Sequence, residues 1–328
     1  VKRLEQYWWD RNGIAFLLVP LSWIFCLVAG LRRTAYRIGL LRSTRLPLPV
    51  IVVGNITVGG SGKTPLVIWL ARYLKELGLH PGVISRGYGG NARKWPQQVL
   101  PGSDPATVGD EAVMIARRTG CPVCVGPDRV AAGAALAQYS NCDIIISDDG
   151  LQHYALQRDI EIAVVDGVRE LGNRFCLPAG PLRERPSRLS KVDMVVANGI
   201  GGRRQFSMRL RQNEVINLLD PDKTRKITEF VGSGPVHAVA GIGNPERFFS
   251  QLEGMGIKLI RHPFPDHHPF TPGDITPGDG RAVLMTEKDA IKCRRFARPE
   301  QWYVPVTAEL DQAFAHRLGV LVRGVRNG

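Results

Sequence analysis

The sequence predicts an α/β fold: a parallel sheet flanked by helices, followed by a smaller second α/β domain. Three observations predict it. Short β-branched apolar runs recur along the chain, each followed by a turn and then a helical pattern. One such unit, Val50 to Leu70, carries a glycine-rich turn between its strand and its helix. The strand–turn–helix pattern weakens between Gln205 and Phe230 into two polar extended pieces, then resumes at Val236. With 328 residues the chain exceeds the usual size of one core, which favours two domains. The expected boundaries are an N-terminal helical segment over 1–48, a core domain over 49–204, a β linker over 205–232 and a C-terminal α/β domain over 233–328.

Composition narrows the partners. Apolar content of 44% and charged content of 22% fit a globular chain. A net charge of +13 suits nucleic acid, anionic lipid or a phosphorylated substrate. No zinc-finger spacing and no aromatic-basic RNA-binding motif accompanies that charge, so nucleic acid is not an expected partner. The six cysteines include one C-P-V-C, Cys121 and Cys124, with no second pair to complete a zinc site. They read as reduced, structural thiols.

Taken in order, the chain first presents Ile14 to Gly30, seventeen residues without a charge. Lys2, Arg3 and Arg11 precede the run, and Arg32, Arg33, Arg37, Arg42 and Arg45 follow it. It sits at the short limit for a bilayer core of about 30 Å and contains Pro20. Trp8 and Trp9 stand before it, a residue type favoured at membrane interfaces. No small-residue cleavage site ends the run, which argues against a signal peptide. The expected element is an interfacial helix, apolar side in lipid and arginines on lipid phosphates; a helix buried in the core is the alternative.

Val50-Ile51-Val52-Val53 is a buried strand, and VGNITVGGSGKTP follows. Gly59, Gly60, Ser61 and Gly62 supply backbone N–H groups able to converge on phosphate oxygens at a helix N-terminus. Lys63 is placed to reach the β- and γ-phosphates and Thr64 to bind Mg²⁺, while Pro65 suits the first helical turn. This is a P-loop NTPase-like arrangement, with one departure: Thr57 occupies the position of the first consensus glycine. ATP and Mg²⁺ are the implied ligands.

The next strand, Gly82 to Ser85, ends in the loop Arg86-Gly87-Tyr88-Gly89-Gly90, at the sheet edge where open α/β folds bind ligands. Asp110 and Glu111 open a helix and read either as caps or as site carboxylates. Strand Asp143 to Ser147 runs into Asp148-Asp149, the Walker B position for holding Mg²⁺, although acidic residues also end strands as turn formers. His153 follows soon after and reads as packed or capping. After strand Ile160 to Val165, Arg183 is a candidate phosphate clamp because guanidinium matches phosphoryl oxygens two at a time; a surface arginine is its plain reading. Met194 to Ala197 is expected to close the first sheet.

The second domain opens with strand Val236 to Ala240, the turn Gly241-Ile242-Gly243 and helix Glu246 to Gly254. It lacks the third glycine and downstream acid of a dinucleotide fingerprint. Strands Ala282 to Met285 and Trp302 to Val306 follow. Between lies HPFPDHHPF, in which the prolines suggest a held loop and not a metal set, able to face the first domain across a cleft.

With these pieces assembled, the chain resembles the tetraacyldisaccharide 4'-kinases, the lipid A 4'-kinases of Gram-negative bacteria. The resemblance rests on VGNITVGGSGKTP, SRGYGG, VGDE, DDGLQH, AGPLRE, FPDHHPF and MTEKDA, in that order, and the Thr57 departure is a feature of that family. It implies transfer of the γ-phosphoryl of ATP to the 4'-hydroxyl of a tetraacylated disaccharide 1-phosphate at the cytoplasmic face of the inner membrane. Lys63 and Thr64 would serve ATP and Mg²⁺, and Asp148 and Asp149 the metal and phosphates, with Gln152 nearby. Asp110 would be the catalytic carboxylate, paired with His267 and not His268. Glu111, Arg183 and Glu184 would line the same cleft, with Arg86 toward the substrate. Placed in separate domains, Asp110 and His267 would come together only on closure around substrates. A rival reading from the motifs alone is a membrane-associated P-loop ATPase acting as a switch or positioning factor.

Overall fold

The computed structural model describes residues 7–10 and 12–327; Lys2, Arg3 and Arg11, the basic residues ahead of the apolar run, lie outside them. The chain begins with helix α1 (Gly13–Arg37), strand β1 (Val50–Gly54), helix α2 (Lys63–Glu76), β2 (Pro81–Ser85), β3 (Gln97–Val99) and the single turn α3 (Pro105–Val108). It continues through α4 (Asp110–Thr119), β4 (Val123–Val125), α5 (Arg129–Tyr139), β5 (Ile144–Ser147), β6 (Ile160–Asp166), β7 (Met194–Asn198) and β8 (Phe206–Arg211). The remainder comprises β9 (Glu214–Asn217), β10 (Thr224–Lys226), β11 (Val236–Ala240), α6 (Pro245–Gly254), β12 (Leu259–Pro263), β13 (Val283–Thr286), α7 (Glu287–Cys293), β14 (Gln301–Val304), β15 (Thr307–Leu310) and α8 (Gln312–Asn327).

Two sheets organise these elements. The first has nine strands in the order β15-β8-β7-β6-β1-β5-β2-β4-β3, parallel except at its two edges. β1 lies between β5 and β6, in register Val50 to Ile145 and Ile51 to Ile160. All five of its residues are buried, as a strand covered on both faces requires. Leu66, Val67, Leu70, Ala71 and Leu74 recur at helical spacing along α2 and are buried against Ile51 and Val53. Each such Leu or Val contributes about 1.5–3 kcal/mol through burial. The second sheet has six strands, β10-β9-β14-β13-β11-β12, with Phe248, Phe249 and Leu252 of α6 buried against one face.

Three features depart from the sequence expectation. The stretch 205–232 is shared between the sheets: β8 pairs in parallel with β7, while β9 and β10 extend the second sheet. Met194–Asn198 is therefore interior, since an unpaired edge there would leave a row of backbone groups bare. The last residues return to the first domain, where β15 pairs antiparallel with β8. Phe314, Leu318 and Val322 of α8 then bury themselves in the first core, with the Tyr73 hydroxyl donating to the Ala315 carbonyl at 2.8 Å. Finally β12 escaped the sequence pattern, because an edge strand carrying Arg261, His262 and Pro263 shows no apolar alternation.

Helix α1 is capped by Asn12, whose side chain accepts from the Ala15 amide at 2.9 Å. Its inner side rests on the first domain. Phe25 and Cys26 pack on Ile56, Cys176 and Leu182, Phe16 meets Phe175 edge-on, and the Trp8 indole donates to the Pro178 carbonyl at 2.9 Å. The outer side leaves Leu17, Leu21, Trp23, Ile24, Leu27 and Leu31 exposed. Among the described residues it is the one helix long and apolar enough to cross a membrane, with a mean hydropathy of 2.5 over its best window.

Candidate active site

A cleft of about 1690 Å³ runs between the two sheets and is lined by the glycine loop, Asp148, Asp149, Arg183, His267 and Lys288. The C-terminal ends of β1, β2 and β5 all feed it, as a parallel sheet with reversed strand order dictates.

The glycine loop is held from below. The Asn55 amide donates to the Ser61 hydroxyl at 3.1 Å and reaches the Gly59 carbonyl at 3.4 Å. From the side it is clamped by 176–183: the Val58 amide donates to the Pro181 carbonyl at 2.8 Å, and the Arg183 amide to the Ile56 carbonyl at 2.7 Å. Gly59 and Gly62 adopt φ of +100° and +92°, which a side chain would strain. A Cβ on Gly59 or Gly60 would meet no protein atom within 4 Å, so this lip of the loop faces open cleft. Thr57 explains the departure from the glycine consensus. It does not have positive φ, and it pairs with Leu182 as an isolated bridge. Lys63 and Thr64 open α2 directly after Gly62.

The acidic pair divides its work. Asp149, itself at φ +49°, lies 3.5 Å from Lys63 Nζ and 3.3 Å from an Arg183 nitrogen. Burial pulls its pKa upward, but these two cations outweigh that and leave it below the usual carboxylate range. Asp148 is buried, and burial together with the charges of Glu111 and Asp149 raises its pKa despite Lys63 and Arg129. Its Oδ2 accepts a 3.4 Å bond from the Ser85 hydroxyl, while Oδ1 is buried with no partner. An orphaned carboxylate oxygen lining the same cleft as the P-loop Thr64 is the oxygen chemistry a hydrated Mg²⁺ takes, so the residues present fit that ion.

Gln152 and Glu184 hold each other at 2.8 Å, and Gln152 also donates to the Asn55 carbonyl at 3.0 Å. Glu184 further accepts from the Tyr154 hydroxyl at 2.5 Å and lies 4.0 Å from Arg33 of α1, which ties that helix to the cleft. Arg86 is exposed on the loop after β2 and lines the cleft. His153 is held neutral, its pKa lowered to about 4 by burial and by neighbouring arginines, with Nε2 unpartnered.

Across the cleft, Asp110 begins α4 and His267 sits on the loop after β12. His267 Nδ1 is 3.2 Å from Asp110 Oδ2. The expectation that these residues stand apart until the domains close is not met. His267 adopts φ +59°, packs edge-on against Tyr88 at 5.1 Å, and lies where Gly89 leaves room for it. Burial raises the pKa of Asp110, but the His267 hydrogen bond and the Lys288 charge prevail and lower it. The same hydrogen bond raises His267. His268 turns away, to Asp274 at 3.2 Å. Glu111 lies 3.5 Å from Lys288.

Sequence reasoning did not assign Lys288, Asp266, Arg129 or Tyr88. Lys288, Asp266 and Tyr88 sit in MTEKDA, FPDHHPF and SRGYGG, but nothing in the spacing shows that these segments meet. Arg129 is buried at the start of α5, its charge directed at Asp148 and Asp149. Its signal was an arginine on the inward face of an alanine-rich helix.

A phosphate cradle and a cation-flanked acidic pair face a carboxylate–histidine pair that could take a proton from an acceptor. Fold and site together define a P-loop kinase. Comparison with known proteins narrows the class: the model for tetraacyldisaccharide-1-P 4'-kinase, LpxK, matches residues 14–323, and the chain belongs to that family. It is 55% identical over 309 residues to the tetraacyldisaccharide 4'-kinase of Nitrosococcus oceani, covering 94% of this chain and 91% of that one. It is 50% identical over 320 residues to that of Methylobacillus flagellatus, covering 96% and 94%. A solved structure of Aquifex aeolicus LpxK in complex with ATP superposes with a TM-score of 0.81 at 27% identity, over 94% of this chain and 99% of that one.

Proposed function

We propose that this protein is an ATP-dependent kinase that phosphorylates the 4'-hydroxyl of a tetraacylated glucosamine disaccharide 1-phosphate, a step in lipid A biosynthesis. Membership of the family and the likeness to an ATP-bound LpxK support this reading over the ATPase-switch alternative. The carrying observation is that the Lys63 cradle and His267, whose Nδ1 lies 3.2 Å from Asp110 Oδ2, line one cleft.

In the proposed reaction the acceptor oxygen forms a bond to the γ-phosphorus while the bridging bond to the β-phosphate breaks, releasing ADP. The hydroxyl proton passes to Asp110, which His267 holds in place. The loop amides of Gly59 to Gly62, together with Lys63 and Arg183, take up charge on the phosphoryl oxygens. Thr64 and Asp148 would hold Mg²⁺, with Asp149 beside it; the ion supplies neutralisation of the β- and γ-oxygens when bound. Glu111 and Arg86 line the acceptor side, and Gln152 and Glu184 brace the nucleotide side. The exposed face of α1 supports peripheral or monotopic attachment to the cytoplasmic face of the bacterial inner membrane, because a helix docked along its inner side keeps only its outer side for lipid.

The test is transfer of label from γ-labelled ATP to the tetraacylated disaccharide 1-phosphate by the purified protein in detergent. Label on the lipid supports the reading. ATP turnover that is the same with and without that acceptor refutes it and favours the switch.

A further inference from the structure

The motif Thr286-Glu287-Lys288-Asp289 has no role in the mechanism above, yet each of its side chains is committed. The Thr286 hydroxyl caps α7 by accepting from the Asp289 amide at 3.2 Å, and it donates to Asp289 Oδ2 at 2.6 Å. That carboxylate oxygen also accepts from the Gly241 amide at 2.8 Å, so the start of α7 is pinned to the β11–α6 turn. From this fixed platform two successive residues cross to the first domain. Glu287 meets Arg118 of α4 at 2.8 Å. Lys288 places Nζ 4.0 Å from Asp110 Oδ2, 3.5 Å from Glu111 Oε1 and 3.3 Å from Asp266 Oδ1. One mostly buried ammonium is thus shared by three carboxylates, two at the start of α4 and one on the His267 loop.

We infer that Lys288 is a positioning residue for phosphoryl transfer: it keeps the Asp110–His267 pair in its less protonated state and fixes the His267 loop against α4. The inference rests on the proposed role of that pair. A cation about 4 Å from a partly desolvated carboxylate strongly favours the ionised form. The other charges facing the pair do not substitute for it. Lys292 of α7 also lowers the Asp110 pKa, but less than Lys288 does, and sits 2.8 Å from Asp289, while Glu111 on α4 and Asp266 on the loop are negative and raise proton affinity. Tyr88 contributes only a ring edge. Without Lys288, three carboxylates would converge beside the His267 imidazole with only the more distant Lys292 charge left to favour ionised Asp110, and the pair would hold its protons to higher pH.

The test is the pH profile of kcat for the full-length enzyme in detergent, with saturating ATP and acylated disaccharide. For Lys288→Met the acid limb moves to higher pH by about one unit, by the usual size of such charge effects. ATP affinity by calorimetry stays within about threefold, because Lys288 makes no contact with the glycine loop. Lys288→Arg keeps the charge and restores the limb. Asp266→Asn removes a negative neighbour and moves the limb the opposite way, which damage to the fold would not do. A Lys288→Met profile lowered evenly at all pH values, or unchanged, overturns the inference, as does an acid limb in Asp266→Asn that fails to move downward. An inactive Asp110→Asn together with an unmoved Lys288→Met limb would remove Lys288 alone. An active Asp110→Asn would remove the proposed pair and Lys288 with it.

Discussion

Asp110, at the start of α4, and His267, on the loop after β12, meet at 3.2 Å between Oδ2 and Nδ1. Their hydrogen bond lowers the Asp110 pKa and raises that of His267, so the contact that bridges the two halves of the molecule favours the charged form of each partner.

Asp110→Asn removes the proposed acceptor of the hydroxyl proton while keeping shape. It is expected to lower kcat by about 10²–10⁴-fold, the usual worth of a general base, with ATP affinity nearly unchanged. Transfer assays beside calorimetry check both halves of that statement. Loss of ATP binding in step with kcat would place Asp110 elsewhere in the mechanism.

The raised pKa of His267 sets a pH dependence of stability. A raised basic group contributes stability that is complete below its unfolded value, near 6.5, and is lost as pH rises through the higher folded value. The gap in melting temperature between the parent and His267→Asn is therefore expected to be widest at pH 6 and to narrow toward pH 9. A gap independent of pH would show that the imidazole packs there without charge.

Asp148 should reveal a cost of function. Its pKa is raised, so its ionisation destabilises the fold increasingly as pH climbs from the unfolded carboxylate range through the folded value. Asp148→Asn relieves the buried charge, and the variant is expected to melt about 2 °C higher at pH 8 for each kcal/mol relieved. Phosphoryl transfer should collapse in the same protein, and Mg²⁺ should no longer raise its melting temperature. Scanning fluorimetry with and without magnesium measures this.

Replacing Leu17, Leu21, Ile24 and Leu27 by serine makes the outer side of α1 polar without touching its docked side. Activity on substrate dispersed in detergent is expected to hold within about threefold, while activity on substrate in vesicles falls at least tenfold. Equal loss on both would mean that α1 serves the fold of the cleft and not lipid contact.

Much of the first domain was legible because local chemistry decides it. Val50–Val53 can only be a covered strand, and Gly62-Lys63-Thr64-Pro65 can only open a helix where it does. Asp148 and Asp149 could be placed because strand ends and ligand sites coincide in parallel sheets. What the sequence hid were meetings between distant segments: Lys288 with Asp110, Arg118 with Glu287, the 176–183 loop with the glycine loop, and Gly89 with His267. Such contacts leave no periodicity. The sharing of 205–232 between two sheets was hidden for the same reason, since strand pairing partners are chosen by topology and not by the residues of one strand.

The return of β15 and α8 to the first sheet carries a consequence for biosynthesis. Until β15 and α8 have left the ribosome, β8 has no outer neighbour, and Trp69 and Phe206 lack the Phe314 ring that covers them. The half that grips nucleotide is thus completed last, after the half that follows it, and a nascent chain cut short before Thr307 would carry every motif of the cleft on a sheet still open to aggregation.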